Sequence, residues 1–119
     1  MHELSIASAA LATVERHAGG RRVEVVTMRI GRLRQVVPEA LEFSFGIVAR
    51  DTLAEGARLE IVVLPAVLRC DGCGRSWEID LPAFRCPECA SAEVAVEGGD
   101  ELEVHSIELA EEAACTAPG

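Results

Sequence analysis

Four cysteines occur in two close pairs, a spacing that is typical of a tetrahedral metal site. Two residues separate Cys70 from Cys73, two separate Cys86 from Cys89, and twelve lie between the pairs. Each pair can present two thiolates to one ion, and two pairs complete the four-coordinate shell of a structural zinc, with Zn–S bonds of about 2.3 Å. We therefore predict a zinc ion held by all four cysteines.

The same cysteines could instead form disulfides or redox-active pairs. The chain has no run of 18 apolar residues, and it opens with His2 and Glu3 where a secretory signal would carry basic residues. These features predict a cytoplasmic protein that does not span a membrane, and thiols stay reduced in that compartment. Metal binding is therefore the favoured interpretation. Four thiolates leave no position open for a catalytic water, which disfavours a zinc hydrolase.

A second metal site is indicated at the start of the chain, where histidine is the second residue. The Met1 amine, the His2 amide nitrogen and the His2 imidazole can close two fused chelate rings on one cation, with Glu3 or a neighbouring group as fourth ligand. Ni(II) and Cu(II) favour such planar nitrogen donors. A histidine at this position is more often a solvated terminal residue, and the tripeptide alone leaves both interpretations open.

Two amphipathic helices must position these sites. Apolar residues recur every three or four positions over residues 3 to 18 and again over residues 38 to 49. Gly19 and Gly20 can end the first helix, and Pro38 suits the first turn of the second. The sequence therefore predicts two helices of three to five turns with a strand between them.

The remaining segments read as strands around a metal lobe. Residues 23 to 30 and 58 to 64 have the composition of strands, and the second leads towards Cys70. A final antiparallel pair, about 93 to 97 and 102 to 109, is predicted to turn at Gly98-Gly99-Asp100. This order predicts an α+β fold of two helices packed on a small mixed β-sheet, with an inserted zinc-ribbon lobe that carries the four cysteines.

Two domains follow from this order. Residues 1–65 plus 93–119 are predicted to form an α/β nickel-binding domain, and residues 66–92 a zinc-binding lobe. The lobe has too few apolar groups to fold alone, so a metal must supply the missing stability.

The acidic composition limits the partners of the chain. It contains 20 acidic and 11 basic residues, a formal net charge of −9. Nucleic-acid affinity depends on Lys and Arg side chains that displace counterions, so we expect no nucleic-acid partner. A local arginine patch at Arg29, Arg32 and Arg34 leaves an exception open.

Several of these segments together resemble one known family. They are Met1 to Ala7 at the start, Ile30-Gly31, Pro38 to Phe43, the two CxxC pairs, Glu101 to Val104, and Ile107-Glu108. In this order, and across essentially the whole chain, they are similar to the HypA/HybF family of hydrogenase nickel-incorporation proteins. Each segment alone is unspecific, whereas the combination is highly specific.

The resemblance implies a nickel metallochaperone and not an enzyme. It implies that Met1, His2 and Glu3 bind Ni(II) for transport, while Cys70, Cys73, Cys86 and Cys89 hold a structural Zn(II). It further implies that the protein helps to insert nickel into the large subunit of a [NiFe] hydrogenase, together with a GTPase maturation partner. The oligomeric state, including a homodimer, stays open.

The alternative is a zinc-ribbon adaptor that binds another protein and has no nickel-carrying role. The remaining candidate residues do not decide between the two functions. His17 lies in the last turn of the first helix, where a cation is stabilised, and His105 reads as a partly exposed strand residue. Cys115 lies in a short tail of small residues and is expected to be a bystander thiol.

Overall fold

The computed structural model describes residues 2–79, 85–89 and 92–111. Within these residues it contains two α-helices, one short 3₁₀ helix and six strands. In chain order they are α1 (His2–Ala18), β1 (Val23–Gly31), the 3₁₀ helix (Arg32–Arg34), α2 (Pro38–Val48), β2 (Arg58–Leu64), β3 (Ala66–Cys70), β4 (Ser76–Ile79), β5 (Val94–Gly98) and β6 (Leu102–Leu109). None of the helices in this part of the chain is long and apolar enough to cross a membrane.

Helix α1 forms as predicted, because its apolar residues share one face. That face is buried and consists of Ala7, Ala10, Leu11, Val14 and Ala18. The helix ends where Gly19 and Gly20 adopt positive φ angles of 63° and 81°, a conformation that glycine reaches without a steric penalty. Its small buried residues allow a close approach to α2, against which α1 packs.

Helix α2 begins at Pro38 because proline suits the first helical position. The preceding residue, Val37, is extended, with φ −88° and ψ 111°. Leu41 and Phe45 are buried on one face of the helix, at 0% and 1% exposure. Both helices therefore form where the sequence predicts them, to within one residue at each end.

The strands form two three-stranded sheets. The first has the order β2-β1-β6, and the second has the order β4-β3-β5. In the second sheet β3 pairs antiparallel with both neighbours, so that Leu68 lies opposite Trp77 of β4 and Val96 of β5. The α+β class and the four-cysteine ribbon are confirmed.

The predicted hairpin between the last two strands is wrong. β5 pairs with β3 and β6 pairs with β1, so the two strands belong to different sheets. The backbone of the connecting residues is bonded elsewhere: Leu33 N–H donates to the Gly99 carbonyl at 2.7 Å, and Gly31 N–H donates to the Glu101 carbonyl at 2.7 Å. These bonds take the place of those that a tight turn would make. Gly98-Gly99-Asp100 therefore connects a strand of one sheet to a strand of the other.

The described residues divide into two compact units. The first comprises the residues up to Met28, Val36–Ile61 and those from Glu103 onwards, and the second comprises Arg29–Gln35 and Val62–Leu102. Each has its own buried side chains. Those of the first include Val14, Leu41 and Phe45, and those of the second include Leu68 and Cys70.

Candidate metal centres

The first cysteine pair lies in the turn between β3 and β4. Cys70 is the last residue of β3, and its N–H donates to the Arg75 carbonyl at 2.8 Å. Gly74 N–H donates to the Cys70 carbonyl at 2.8 Å. Gly74 has a positive φ of 78°, a conformation that favours glycine. Gly72 N–H points at the Cys70 sulfur at 3.3 Å. This tight knuckle turns Cys70 and Cys73 towards the same point.

The second cysteine pair forms a similar turn. Glu88 N–H lies 3.4 Å from the sulfur of Cys86, just as Gly72 N–H lies near that of Cys70. Because Pro87 has no N–H, the amide of the following residue, Glu88, is the one that points at the Cys86 sulfur. N–H groups directed at sulfur stabilise a thiolate over a thiol, which is the form that binds a metal.

The four sulfur atoms meet in one cluster. All lie within 4.8 Å of one another. Cys70 Sγ is 3.6 Å from Cys89 Sγ, and Cys73 Sγ is 3.7 Å from Cys86 Sγ. These separations exceed the length of a disulfide bond, about 2.05 Å, and match the edge of about 3.8 Å that a tetrahedron with Zn–S bonds of about 2.3 Å requires. The four thiols therefore fit a single tetrahedral metal ion.

Two cysteines of the cluster, Cys86 in the interior and Cys73 at the rim, differ in acidity. Burial raises the pKa of Cys86, but the backbone N–H groups of Cys89 and Glu88 and the neighbouring thiols outweigh this and lower it to about 7. The Arg75 N–H lowers the pKa of Cys73, yet hydrogen bonding with the Cys86 thiol and burial leave it raised overall. At neutral pH, Cys86 is therefore the readier of the two to bind a metal.

In the described part of the ribbon, an ion pair accompanies the cluster between the two knuckles. The ion pair between Arg75 and Glu88 spans 3.5 Å, but both side chains are about half exposed, and such pairs contribute little. The described apolar side chains buried in this unit are few, namely Ile30, Ala66, Leu68, Cys70 and Cys86. A metal ion at the cluster is the interaction that can stabilise the ribbon.

The second predicted metal site lies where α1 begins. Met1 is outside the described residues, while His2 is the first residue of the helix, with its side chain 56% exposed. The His2 Nε2 atom is 3.6 Å from the Glu3 Oε2 atom. The structure therefore brings together the two described members of the predicted nickel site.

Val37 fixes the Glu3 carboxylate, a role that the sequence analysis missed. Its N–H donates to Glu3 Oε2 at 3.2 Å. This bond, followed by the Glu3 backbone N–H and the nearby positive charges, lowers the pKa of Glu3 below its ordinary value. The signal in the sequence was Pro38: a helix that begins there leaves the N–H of the preceding residue without an intrahelical acceptor.

The remaining candidate residues are His17, His105 and Cys115. His17 and His105 line a cleft between the end of α1 and β6. Cys115 lies outside the described residues. The structure thus groups the four cysteines in one place, His2 and Glu3 in another, and the two remaining histidines in a third.

Comparisons with known proteins agree with the sequence resemblance. The family model described as hydrogenase/urease nickel incorporation, metallochaperone, hypA matches residues 1–109. The chain belongs to the HypA family. This is a family of metallochaperones that act in maturation, not a family of catalytic enzymes.

Individual HypA proteins resemble the chain over nearly their whole length. The hydrogenase maturation factor HypA of Geobacter metallireducens is 43% identical and that of Azotobacter chroococcum 44% identical, each over 92% of this chain and 99% of its own. The solution structure of the Ni metallochaperone HypA from Helicobacter pylori matches with a TM-score of 0.66 and 25% identity, covering 90% of this chain and 96% of that one. The resemblance stated from the sequence is confirmed.

Proposed function

We propose that the chain carries Ni(II) at its N-terminus and helps to insert it into the large subunit of a [NiFe] hydrogenase. The ligands are the Met1 amine, the His2 amide and imidazole nitrogens, and the Glu3 carboxylate. The observation on which this rests most is that the His2 imidazole is exposed within 3.6 Å of a carboxylate that Val37 holds in place. Membership of the HypA family supports the same role.

The position of His2 at the start of α1 suits the use of its amide nitrogen as a ligand. The first N–H groups of an α-helix have no intrahelical acceptor. Deprotonating the His2 amide therefore breaks no hydrogen bond of α1, whereas the same change in mid-helix would. Nickel can bind and leave without unfolding the helix.

Glu3 supplies a negative charge beside the imidazole. Its lowered pKa keeps it ionised at neutral pH. The carboxylate offsets the positive charge of the ion and that of the helix N-terminus. Because this carboxylate also accepts the Val37 N–H, it stays near His2 in the absence of nickel.

The four-cysteine cluster has the opposite character and, in our proposal, holds a structural Zn(II). Two of its sulfurs belong to buried residues, and all four are needed for one closed shell. A closed four-thiolate site retains its ion, while a site of few ligands at an exposed terminus can exchange its ion with a partner. The chain thus combines a retained metal with a transferable one.

Nickel titration of variants tests the proposed site. In a chain with its native N-terminus, His2→Ala should abolish high-affinity nickel binding in isothermal titration calorimetry and leave one zinc per chain. Ser5→Ala, an exposed change in the same part of α1, is the matched control and should bind normally. Unchanged nickel affinity in His2→Ala would refute the proposed ligand set.

Extending the N-terminus by one residue tests the amine separately. The added residue moves the amine out of chelate register while His2 and Glu3 stay intact, so nickel binding should weaken strongly. Affinity equal to that of the native chain would show that the amine is not a ligand.

The alternative function is a zinc-ribbon adaptor without a nickel-carrying role. Its specific prediction is that partner binding depends on the ribbon and is indifferent to His2. For the carrier we propose a cytoplasmic location, a GTPase maturation partner and the hydrogenase large subunit as acceptor, with a homodimer as one assembly to test by sedimentation. Transfer of nickel to purified large subunit, present in the native chain and lost in His2→Ala, separates the two functions.

A further inference from the structure

A cleft between α1 and β6 contains the two histidines that the proposed function does not use. It is lined by Thr13, Val14 and His17 of the helix and by residues 104–107 of the strand, all in the first unit. Its volume is about 230 Å³. Pockets for organic ligands measure about 300–1,000 Å³. The cleft therefore suits an ion with bound water better than a larger organic molecule.

The His17 ring is oriented in the way that proteins orient metal-binding histidines. Its Nδ1 lies 2.9 Å from the carbonyl oxygen of Thr13, one turn earlier in α1. A carbonyl can only accept, so Nδ1 donates and carries the ring proton. In the neutral ring the lone pair is then on Nε2, which is available to a cation. A backbone carbonyl that fixes the tautomer of a histidine is a recurrent feature of metal sites.

The surroundings of the cleft favour a cation. His17 is in the last turn of α1, where the helix end has a partial negative charge. The chain as a whole has a net charge of −9. The Arg16 guanidinium donates to Thr13 Oγ1 at 3.3 Å, so one positive charge that opposes cation binding lies beside this lining residue.

We propose that His17 and His105 form an auxiliary, readily exchanging site for a divalent transition-metal ion. His17 Nε2 and one ring nitrogen of His105 are the protein ligands, and water completes the coordination shell. Two imidazoles favour Ni(II), Cu(II) or Zn(II) over Mg²⁺ and Ca²⁺, which prefer oxygen.

This site is independent of the N-terminal one and does not rest on the proposed function. His17 lies fifteen positions after His2 in the same helix, a distance of about 22 Å at about 1.5 Å per residue. One ion therefore cannot be shared between them, and each site can be tested with the other removed.

The test uses the full chain with zinc at the cysteines and His2→Ala to silence the N-terminal site. Substoichiometric Ni(II) is added, and the imidazole signals are followed by ¹H–¹⁵N NMR. Six-coordinate Ni(II) is paramagnetic, so the His17 and His105 rings should broaden together at the same nickel concentration. Broadening of neither ring, or of one ring alone, overturns the proposal.

Substitutions give a second, independent measurement. In the same background, His17→Gln and His105→Gln should each weaken nickel binding at least about tenfold in calorimetry, because each removes one of two protein ligands. Arg16→Gln removes the positive charge beside Thr13 and should leave nickel affinity unchanged or raise it. Circular dichroism confirms that the helices form in each variant. Affinities equal to the parent in both histidine variants contradict a shared site.

Discussion

Glu3 is the residue that links the proposed nickel site to the packing of the two helices. Its carboxylate accepts the Val37 N–H at 3.2 Å and lies 3.6 Å from the His2 imidazole. From its place beside His2, the sequence offered Glu3 or a neighbouring group as the fourth ligand, and the family resemblance implied Glu3. The spacing of the cysteines predicted the zinc ligands. The sequence could not predict Val37, because that contact joins residues 34 positions apart and depends on how α1 and α2 pack.

Glu3→Gln separates the two roles of the carboxylate. The amide oxygen can still accept the Val37 N–H, but the charge beside His2 is lost. Nickel affinity should fall at least about tenfold, since losing even a group that only orients a metal ligand has that effect. The thermal midpoint at neutral pH should fall slightly, because the charge that favours the Val37 contact is lost. Calorimetry and thermal melts measure the two effects. An unchanged nickel affinity would leave Glu3 with a purely structural role.

The same variant should change the acid sensitivity of the chain. Because the pKa of Glu3 is lowered in the folded state, its contribution to stability is present above the unfolded pKa and is lost as pH falls through the lowered value. Glu3→Gln cannot titrate. Its melting temperature should therefore fall less between neutral pH and about pH 3 than that of the native chain.

At the scale of elements, the helices and the positions of the last two strands were predictable, but the pairing of those strands was not. A period of three to four residues, with glycine at the end of α1 and proline at the start of α2, is a local signal. Two alternating segments around Gly98-Gly99-Asp100 resemble a hairpin locally. The actual pairing depends on backbone contacts from Gly31 and Leu33, which no local pattern encodes. The short strand β4 was also missed, because its pairing with β3 follows from the cysteine turn.

Gly99, in the connection between β5 and β6, has no room for a side chain. Its φ is 106°, and a Cβ there would lie 2.5 Å from the Ala66 Cα at the start of β3. Gly99→Ala should cost about 2–4 kcal/mol, because strain and overpacking add. Gly20→Ala is the control: φ is 81° but nothing lies within 4 Å, so only strain of about 1 kcal/mol is expected.

The rate of zinc release measures the destabilisation of β3 by Gly99→Ala, because this strand ends at the proposed zinc ligand Cys70. In the presence of a chelator, Gly99→Ala should lose zinc faster than Gly20→Ala at equal temperature. Equal rates in the two variants would show that the contact between Gly99 and Ala66 does not support the ribbon.

In the proposed function, the whole molecule combines two metal sites with opposite requirements. The four-cysteine cluster lies in a unit with few buried apolar side chains, which makes a retained ion part of its fold. His2 and Glu3 lie at the exposed start of α1 in the other unit, whose own core does not depend on nickel. Because the two proposed sites use different residues in different units, we expect that nickel can be given up while zinc stays.

The most direct test is to count both metals in the same chain. The zinc-loaded protein, with Met1 as its first residue, is given one equivalent of Ni(II), passed through a desalting column and weighed by native mass spectrometry. We expect one zinc and one nickel per chain, and zinc alone in His2→Ala. A nickel ion that replaces the zinc, or nickel retained equally by His2→Ala, would contradict the account.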